Sequence, residues 1–212
     1  MTPAKRGRFI SLEGGEGVGK STQAAALAQA LRARGLSVVE TREPGGSAGA
    51  EAIRRLLLEG GADRWNARTE ALLFAAARAD HVARLIRPAL ERGEWVICDR
   101  FLDSSLAYQG GADGLGEQAV RELHRIGSED LLPDRTLLLA LPEDLALARE
   151  AVRDGESGGD RFGARDRSFH ARVSQSFRTL AAGEPDRFRL IDGLGPAAEV
   201  TARLVTSVEE WL

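Results

Sequence analysis

Gly14-Gly15-Glu16-Gly17-Val18-Gly19-Lys20-Ser21 decides how this chain is built. The run matches G-x-x-x-x-G-K-[ST] without a departure, and its surroundings fit as well. Phe9-Ile10-Ser11-Leu12 before it is short and mostly apolar, the pattern of a buried strand. Ser21 to Arg34 after it carries Ala and Leu at helical spacing and closes at Gly35. The glycines let the backbone wrap so that successive N–H groups point at phosphate oxygens. A helix starting near Lys20 adds unpaired N–H groups and the positive end of its dipole. Lys20 supplies a point charge at the β/γ-phosphates, and the Ser21 hydroxyl supplies a ligand for Mg²⁺. The plain alternative is a glycine-rich turn with an incidental lysine, and the full pattern in its strand–helix context weighs against it. The motif points to a nucleoside triphosphate. What is done with the triphosphate must come from elsewhere.

Downstream, short apolar runs recur at Leu36–Val39, Trp95–Cys98, Thr136–Leu139 and Phe188–Ile191. Between them lie helical patterns over Ala50–Glu59, Thr69–Arg92, Glu117–Ile126, Glu143–Arg153 and Ser168–Ala182, with Ala197–Leu212 closing the chain. Pro88 falls inside the longest of these and predicts a kink or break there. Gly110, Gly111, Gly114 and Gly116 predict a loop, and Asp154–Gly163, rich in glycine and charge, predicts a mobile solvated one. Five strands alternating with helices predict a parallel sheet covered on both faces, a three-layer α/β/α arrangement. With no linker-like stretch, the expectation is one domain over residues 1–212, with a small lid at about 153–165.

Composition removes several classes. A chain of 212 residues, 43% hydrophobic and 29% charged, is long enough for one substantial core. A net charge of −3 gives no global basic field, so nucleic acid is not an expected partner. No apolar run approaches a membrane span, and the basic N-terminus carries no apolar signal region, so the expected location is cytoplasmic with no membrane partner. Cys98 is the single cysteine, which excludes an internal disulfide, and it reads as a core thiol. His81, His124 and His170 show no ligand spacing.

Three further groups of residues carry chemistry or packing. Asp99 ends the third strand, beside the phosphate loop in a parallel sheet, where a carboxylate suits a Mg²⁺ contact. Arg100 next to it suits an anionic acceptor, although Asp-Arg at a strand end is also common turn chemistry. Glu13 either faces the metal or is simply exposed. Phe74 and Arg78 share a helix face, where they either hold a planar base or belong to the core. Thr41-Arg42-Glu43-Pro44-Gly45-Gly46 lies on the phosphate-loop edge of the sheet, and Pro-Gly needs no function beyond a turn.

Taken in order, these segments resemble the bacterial thymidylate kinase (dTMP kinase) family over nearly the whole chain. The resemblance rests on Glu13 with the phosphate loop, Thr41–Gly46, Leu73–Arg78, Asp99-Arg100-Phe101, Asp103–Gly110 with its Ser-Leu-Ala-Tyr-Gln-Gly run, Pro133-Asp134 and Asp160-Arg161-Phe162. It implies a P-loop NTPase fold, ATP and Mg²⁺, the acceptor dTMP, and a homodimer. By the same resemblance Gly14, Gly15, Glu16, Gly17, Val18, Gly19, Lys20, Ser21 and Thr22 hold the triphosphate. Glu13 and Asp99 organise Mg²⁺ with Ser21. Phe74 stacks on the thymine and Arg78 hydrogen-bonds its carbonyl edge. Ser105 and Gln109 contact the base, and Tyr108 packs where a ribose 2′-hydroxyl would sit. Arg100, assisted by Arg42 and Arg54 near Pro44, holds the acceptor phosphate. Gly17 stands where one branch of the family places a phosphate-loop arginine, so the transferring charge falls to lid arginines: Arg153, with Arg149 or Arg161. Gly163 replaces the family's acidic lid residue, and Ala140 a common polar one.

Two rival readings remain on these residues. One is a kinase of another nucleoside monophosphate on the same fold. The other is a nucleotide-driven regulatory switch, for which Asp192-Gly193-Leu194-Gly195 supplies a D-x-x-G match, although no Asn-Lys-x-Asp base-reading segment exists in the chain.

Overall fold

In the computed structural model, residues 6–61, 63–149, 161–163 and 165–212 are described. Five strands form one sheet in the order β2-β3-β1-β4-β5: β1 (Phe9–Glu13), β2 (Val38–Arg42), β3 (Trp95–Asp99), β4 (Arg135–Ala140) and β5 (Phe188–Asp192). Every neighbouring pair is parallel. Because side chains alternate across a strand, each strand feeds two cores. Phe9, Val96, Cys98 and Leu138 point to one face, whereas Ile10, Leu12, Ile97, Leu137 and Leu139 point to the other. Helices α1 (Lys20–Arg32) and α9 (Ala197–Thr206) cover the second face through Leu27, Leu31, Val200 and Leu204. Long runs of apolar residue in the strands follow from burial on both sides. The three-layer α/β/α arrangement expected from the sequence is the one observed.

The opposite face is built from α2 (Ala48–Leu58), α3 (Ala67–His81), α4 (Arg87–Glu91), α5 (Leu102–Ser105) and α6 (Glu117–Ser128). A further helix, α7, covers 143–149, and α8 (Arg167–Gly183) packs Phe169, Val173 and Phe177 into the core. Side chains of Ser47, Asn66 and Asp166 cap α2, α3 and α8 by accepting from N–H groups of the first turn. The break expected at Pro88 takes the form of a π-helical segment, Val82–Ile86, which joins α3 to α4 just before the proline. A residue without an N–H fits such a change of helical register. Among the described residues, no helix is long and apolar enough to cross a membrane.

Two expectations need correction. The glycines at 110 and 111 lie not in a loop but in a π-helical segment, Leu106–Ala112, that continues α5. Tertiary packing requires the small residue there, because a Cβ on Gly111 would come within 2.1 Å of Ser176 Oγ on α8. In the stretch expected to be solvated, Arg161 and Phe162 are 3% and 5% exposed. Burial is possible because an acidic partner and an aromatic cluster wait for them, as described below. Residues 150–160 and 164, which include Arg153 and most of the expected lid, lie outside the described residues.

Candidate active site

Parallel strands bring the carboxyl ends of β1, β2 and β3 to one edge, with Leu12 and Arg42 both opposite Asp99. Beyond that edge lies a cavity of about 590 Å³. At one end is the phosphate loop. Gly19 takes a left-handed conformation, with φ of 94°, that a residue with a side chain rarely adopts, and no side chain caps α1. The first N–H groups of the helix are therefore available to an anion. Lys20 Nζ donates to the Gly15 carbonyl at 2.5 Å. Burial, and the Arg100 charge next, lower the Lys20 ammonium to about 8, with the carboxylates of Glu16 and Asp99 opposing. Thr22 and Val18 also line the cavity.

Ser21 Oγ donates to Asp99 Oδ2 at 2.5 Å, while Asp99 Oδ1 is buried and accepts no hydrogen bond among the described residues. A hydroxyl and an orphaned carboxylate oxygen beside a phosphate loop form an oxygen donor set that suits Mg²⁺, which shares its shell with water and phosphate. No cluster of three acidic, His or Cys side chains able to hold a metal by itself occurs among the described residues. Glu13 departs from its expected metal-facing place. It is fully buried, its Oε1 accepting from the Phe101 N–H at 2.7 Å and its Oε2 from Ser104 Oγ at 2.6 Å. Burial, with Asp103 beside it, pushes its carboxyl up to about 8. Glu13 thus braces the turn after β3, and that brace matters because Arg100 there holds a φ of 68°.

Arg100 reaches back over the phosphate loop. It donates to the Gly14 carbonyl at 3.0 Å, to Glu16 Oε1 at 2.5 Å and to Ser104 Oγ at 3.1 Å. The Tyr108 hydroxyl donates to the same Glu16 oxygen at 3.0 Å, and its ring is packed by Phe169 and Phe177. Burial drives the phenol well above its ordinary range.

The far end of the cavity is assembled by side chains. Arg78, 3% exposed, donates to Glu43 Oε2 at 2.7 Å and to Ser105 Oγ at 2.7 Å. Burial raises the Glu43 carboxyl, but Arg78 and His81 outweigh it and hold it below its usual range. His81 in turn bridges Glu43 and Thr41. Phe74 lies edge-on to Phe162, with centroids 5.7 Å apart, and Gln109 Nε2 donates to Glu70 Oε1 at 3.0 Å. Phe74, Arg78, Ser105, Tyr108 and Gln109, which the sequence grouped, all line this cavity with Pro44, Arg42, Arg54 and Arg100. Arg54 donates to the Pro44 carbonyl at 2.6 Å, and Arg42 pairs with Glu51 at 3.0 Å near the surface.

Of the lid arginines, Arg149 is exposed and lines the cavity. Arg161, expected beside ATP, is instead buried against Glu70 at 2.9 Å and donates to the carbonyls of Leu57 and Gly61. Its charge is met there by the Glu70 carboxylate. Glu43, Ser104 and Phe162 entered the sequence reading only as members of quoted motifs, without a role, and Glu70 did not enter it. Buried carboxylates such as Glu43 and Glu70 are unusual without a paired cation, but nothing local in the chain announces that either one is buried.

Comparison with known proteins agrees with this geometry. The thymidylate kinase family model matches residues 12–204. A thymidylate kinase of Rhizorhabdus wittichii is 70% identical over 97% of this chain and 99% of its own. One of Rhodopseudomonas palustris strain TIE-1 is 50% identical over 96% of this chain and 89% of its own. The crystal structure of thymidylate kinase from Ehrlichia chaffeensis superposes with a TM-score of 0.77 at 29% identity, covering 96% of this chain and 99% of the other. With a phosphate loop and a side-chain-built pocket sharing one cavity, the chain belongs to the thymidylate kinase family and is a dTMP kinase.

Proposed function

We propose that ATP binds at the phosphate loop with Mg²⁺, and that dTMP binds at the Phe74–Arg78 end, so that the γ-phosphate passes in line to the dTMP phosphate. One observation carries the assignment of ends. Arg100 contacts both the phosphate loop and Ser104, next to the Ser105 that binds Arg78, so a cation stands where two anionic groups would meet. Phosphoryl transfer needs alignment and charge neutralisation rather than covalent work by the protein. Lys20 leaves the Gly15 carbonyl for a triphosphate oxygen, and Arg100 leaves Glu16 for the acceptor phosphate, with Arg42 and Arg54 beside it. Phe74 stacks on the thymine, Ser105 and Gln109 meet its edge, and Tyr108 closes the sugar side. The acceptor phosphate is ionised at neutral pH, so no general base is required. Ser21 and Asp99 would hold Mg²⁺, which when bound neutralises phosphate charge and orients the transferring group. Arg149 and Arg153 complete the cation set as the lid at about 153–165 closes.

The whole is proposed to work as one domain, in a cytoplasmic homodimer, on small molecules alone. Exposed Leu72 on α3 and Ile126 on α6, two helices that pack together, support an apolar contact between copies. A coupled assay of ADP release across dTMP, dUMP, dCMP and thymidine tests the acceptor. dTMP should be used with the highest kcat/KM. Equal or better turnover of another monophosphate would move the assignment to that acceptor.

A further inference from the structure

We infer that Glu70 is a positioning residue for choice of the acceptor base: anchored by Arg161, it turns the Gln109 amide so that its carbonyl oxygen faces the base. The inference rests on the reading that Phe74, Arg78 and Gln109 form the base site. Glu70 is fully buried at the start of α3. Its Oε1 accepts from Gln109 Nε2 at 3.0 Å, and its Oε2 accepts from Arg161 Nη2 at 2.9 Å, with Arg165 at 3.6 Å. Burial pushes the Glu70 carboxyl up, opposed by the Gln109 amide and by Arg161. The geometry is that of a carboxylate: the Arg161 guanidinium pairs with Oε2 at 2.9 Å, and Arg165 lies 3.6 Å from the same oxygen.

A carboxylate with both oxygens already accepting has no proton to give. A carboxamide has one donating and one accepting end, so only the NH₂ of Gln109 can meet Glu70. The orientation therefore follows from the chemistry of the partner. Gln109 Oε1 accepts no hydrogen bond from a described residue, and Gln109 lines the cavity with Phe74 and Arg78. A carbonyl presented there matches a base with a ring N–H, such as N3–H of thymine or uracil. Cytosine offers a lone pair at that position and meets a lone pair. Sites built to hydrogen-bond a particular group reject analogues that lack it far better than apolar pockets do.

Arg161 makes the device part of the lid. Besides Glu70, it donates to the Leu57 carbonyl at 2.7 Å and the Gly61 carbonyl at 3.0 Å at the end of α2. Its neighbour Phe162 is thereby seated on Phe74 and Tyr108. The base of the lid thus sets the amide and forms a wall of the same pocket.

The test compares kcat/KM for dTMP and dCMP in the parent, Glu70→Gln, Gln109→Ala and the double variant, with the Tm of each recorded. In Glu70→Gln, Arg161 takes the new amide oxygen, so an NH₂ faces Gln109 and turns its amide over. The dTMP preference should fall at least about tenfold. The loss should lie mainly in KM for dTMP, with kcat within about threefold of the parent. Gln109→Ala should lose the same preference, and the double variant should be no worse than Gln109→Ala. If Glu70→Gln does not fold, Glu70→Met gives a second readout: it keeps the side chain's bulk but removes the acceptor, so the Gln109 amide loses its fixed orientation and the preference should fall. A parental ratio in Glu70→Gln or Glu70→Met, with the ratio lost in Gln109→Ala, overturns the role of Glu70 and leaves the base site standing. Additive losses in the double variant overturn it too. A parental ratio in both Gln109→Ala and Phe74→Ala overturns the base site itself.

Discussion

The two ends of the cavity are built by different means, and we propose that one takes the anion and the other the base. The phosphate end is local: backbone N–H groups at the start of α1, one lysine and one hydroxyl, all within Gly14–Ser21. The base end is assembled from Glu43, Phe74 and Arg78, Ser105 and Gln109, and Phe162, which are remote in sequence and tied by buried ion pairs. Backbone recognition needs a contiguous turn and leaves a contiguous motif. Side-chain recognition of a particular base needs donors and acceptors fixed in direction, and buried partners such as Glu43 and Glu70 supply that fixity.

The contrast breaks most sharply at Lys20. Lys20→Ala should lower kcat on the order of 10²–10³-fold, as removal of a group that meets transition-state charge does. Steady-state kinetics at saturating dTMP checks this, and near-parental turnover would remove the phosphate end from the account.

The arginines of the proposed lid sharpen the comparison: Arg161 is buried against Glu70, whereas Arg149 is exposed and lines the cavity. Arg149→Ala should depress kcat about tenfold, or ~1.4 kcal/mol of barrier, with little change in KM for dTMP. Arg161→Ala should do the reverse, raising KM for dTMP and sparing kcat. The same pattern in both variants would erase the division.

A smaller effect comes from pH. Since burial and Arg100 hold Lys20 near about 8, raising pH through that value removes the charge that a triphosphate needs. The sign is a fall in kcat/KM for ATP as pH rises through about 8, with the plateau lying roughly a unit or more below that value. A profile unchanged up to pH 9.5, roughly where an ordinary lysine begins to titrate, would contradict the burial argument.

How much of this was legible in the chain follows the same divide. Sheet, helices and phosphate loop were readable from apolar runs and the glycine pattern, since those signals are local. Gly110 and Gly111 misled because they sit in packed helix, where Ser176 on α8 leaves no room for a Cβ on Gly111, and that approach is invisible in the local sequence. Phe74 and Arg78 gave only a shared helix face, and their grouping with Ser105 and Gln109 came through family resemblance. Glu70 escaped altogether, and Phe162 entered only within the quoted Asp160-Arg161-Phe162 run, with no role given to it. A glutamate on a helix and a phenylalanine in a glycine-rich stretch look like surface and loop until Arg161 is seen folded in between them. Glu13 looked like a metal ligand for the opposite reason: its neighbourhood in sequence was informative, but its burial was not.

The separation of the two ends is tested most directly by calorimetric titration of dTMP, without ATP, into the parent, Lys20→Ala and Phe74→Ala. If Phe74 stacks on the base as proposed, a contact typically worth about 1–3 kcal/mol, its loss should weaken Kd by roughly five- to 150-fold. Lys20→Ala should bind dTMP as the parent does. Equal weakening in both variants, or a parental Kd in Phe74→Ala, would contradict a base site at the Phe74–Arg78 end.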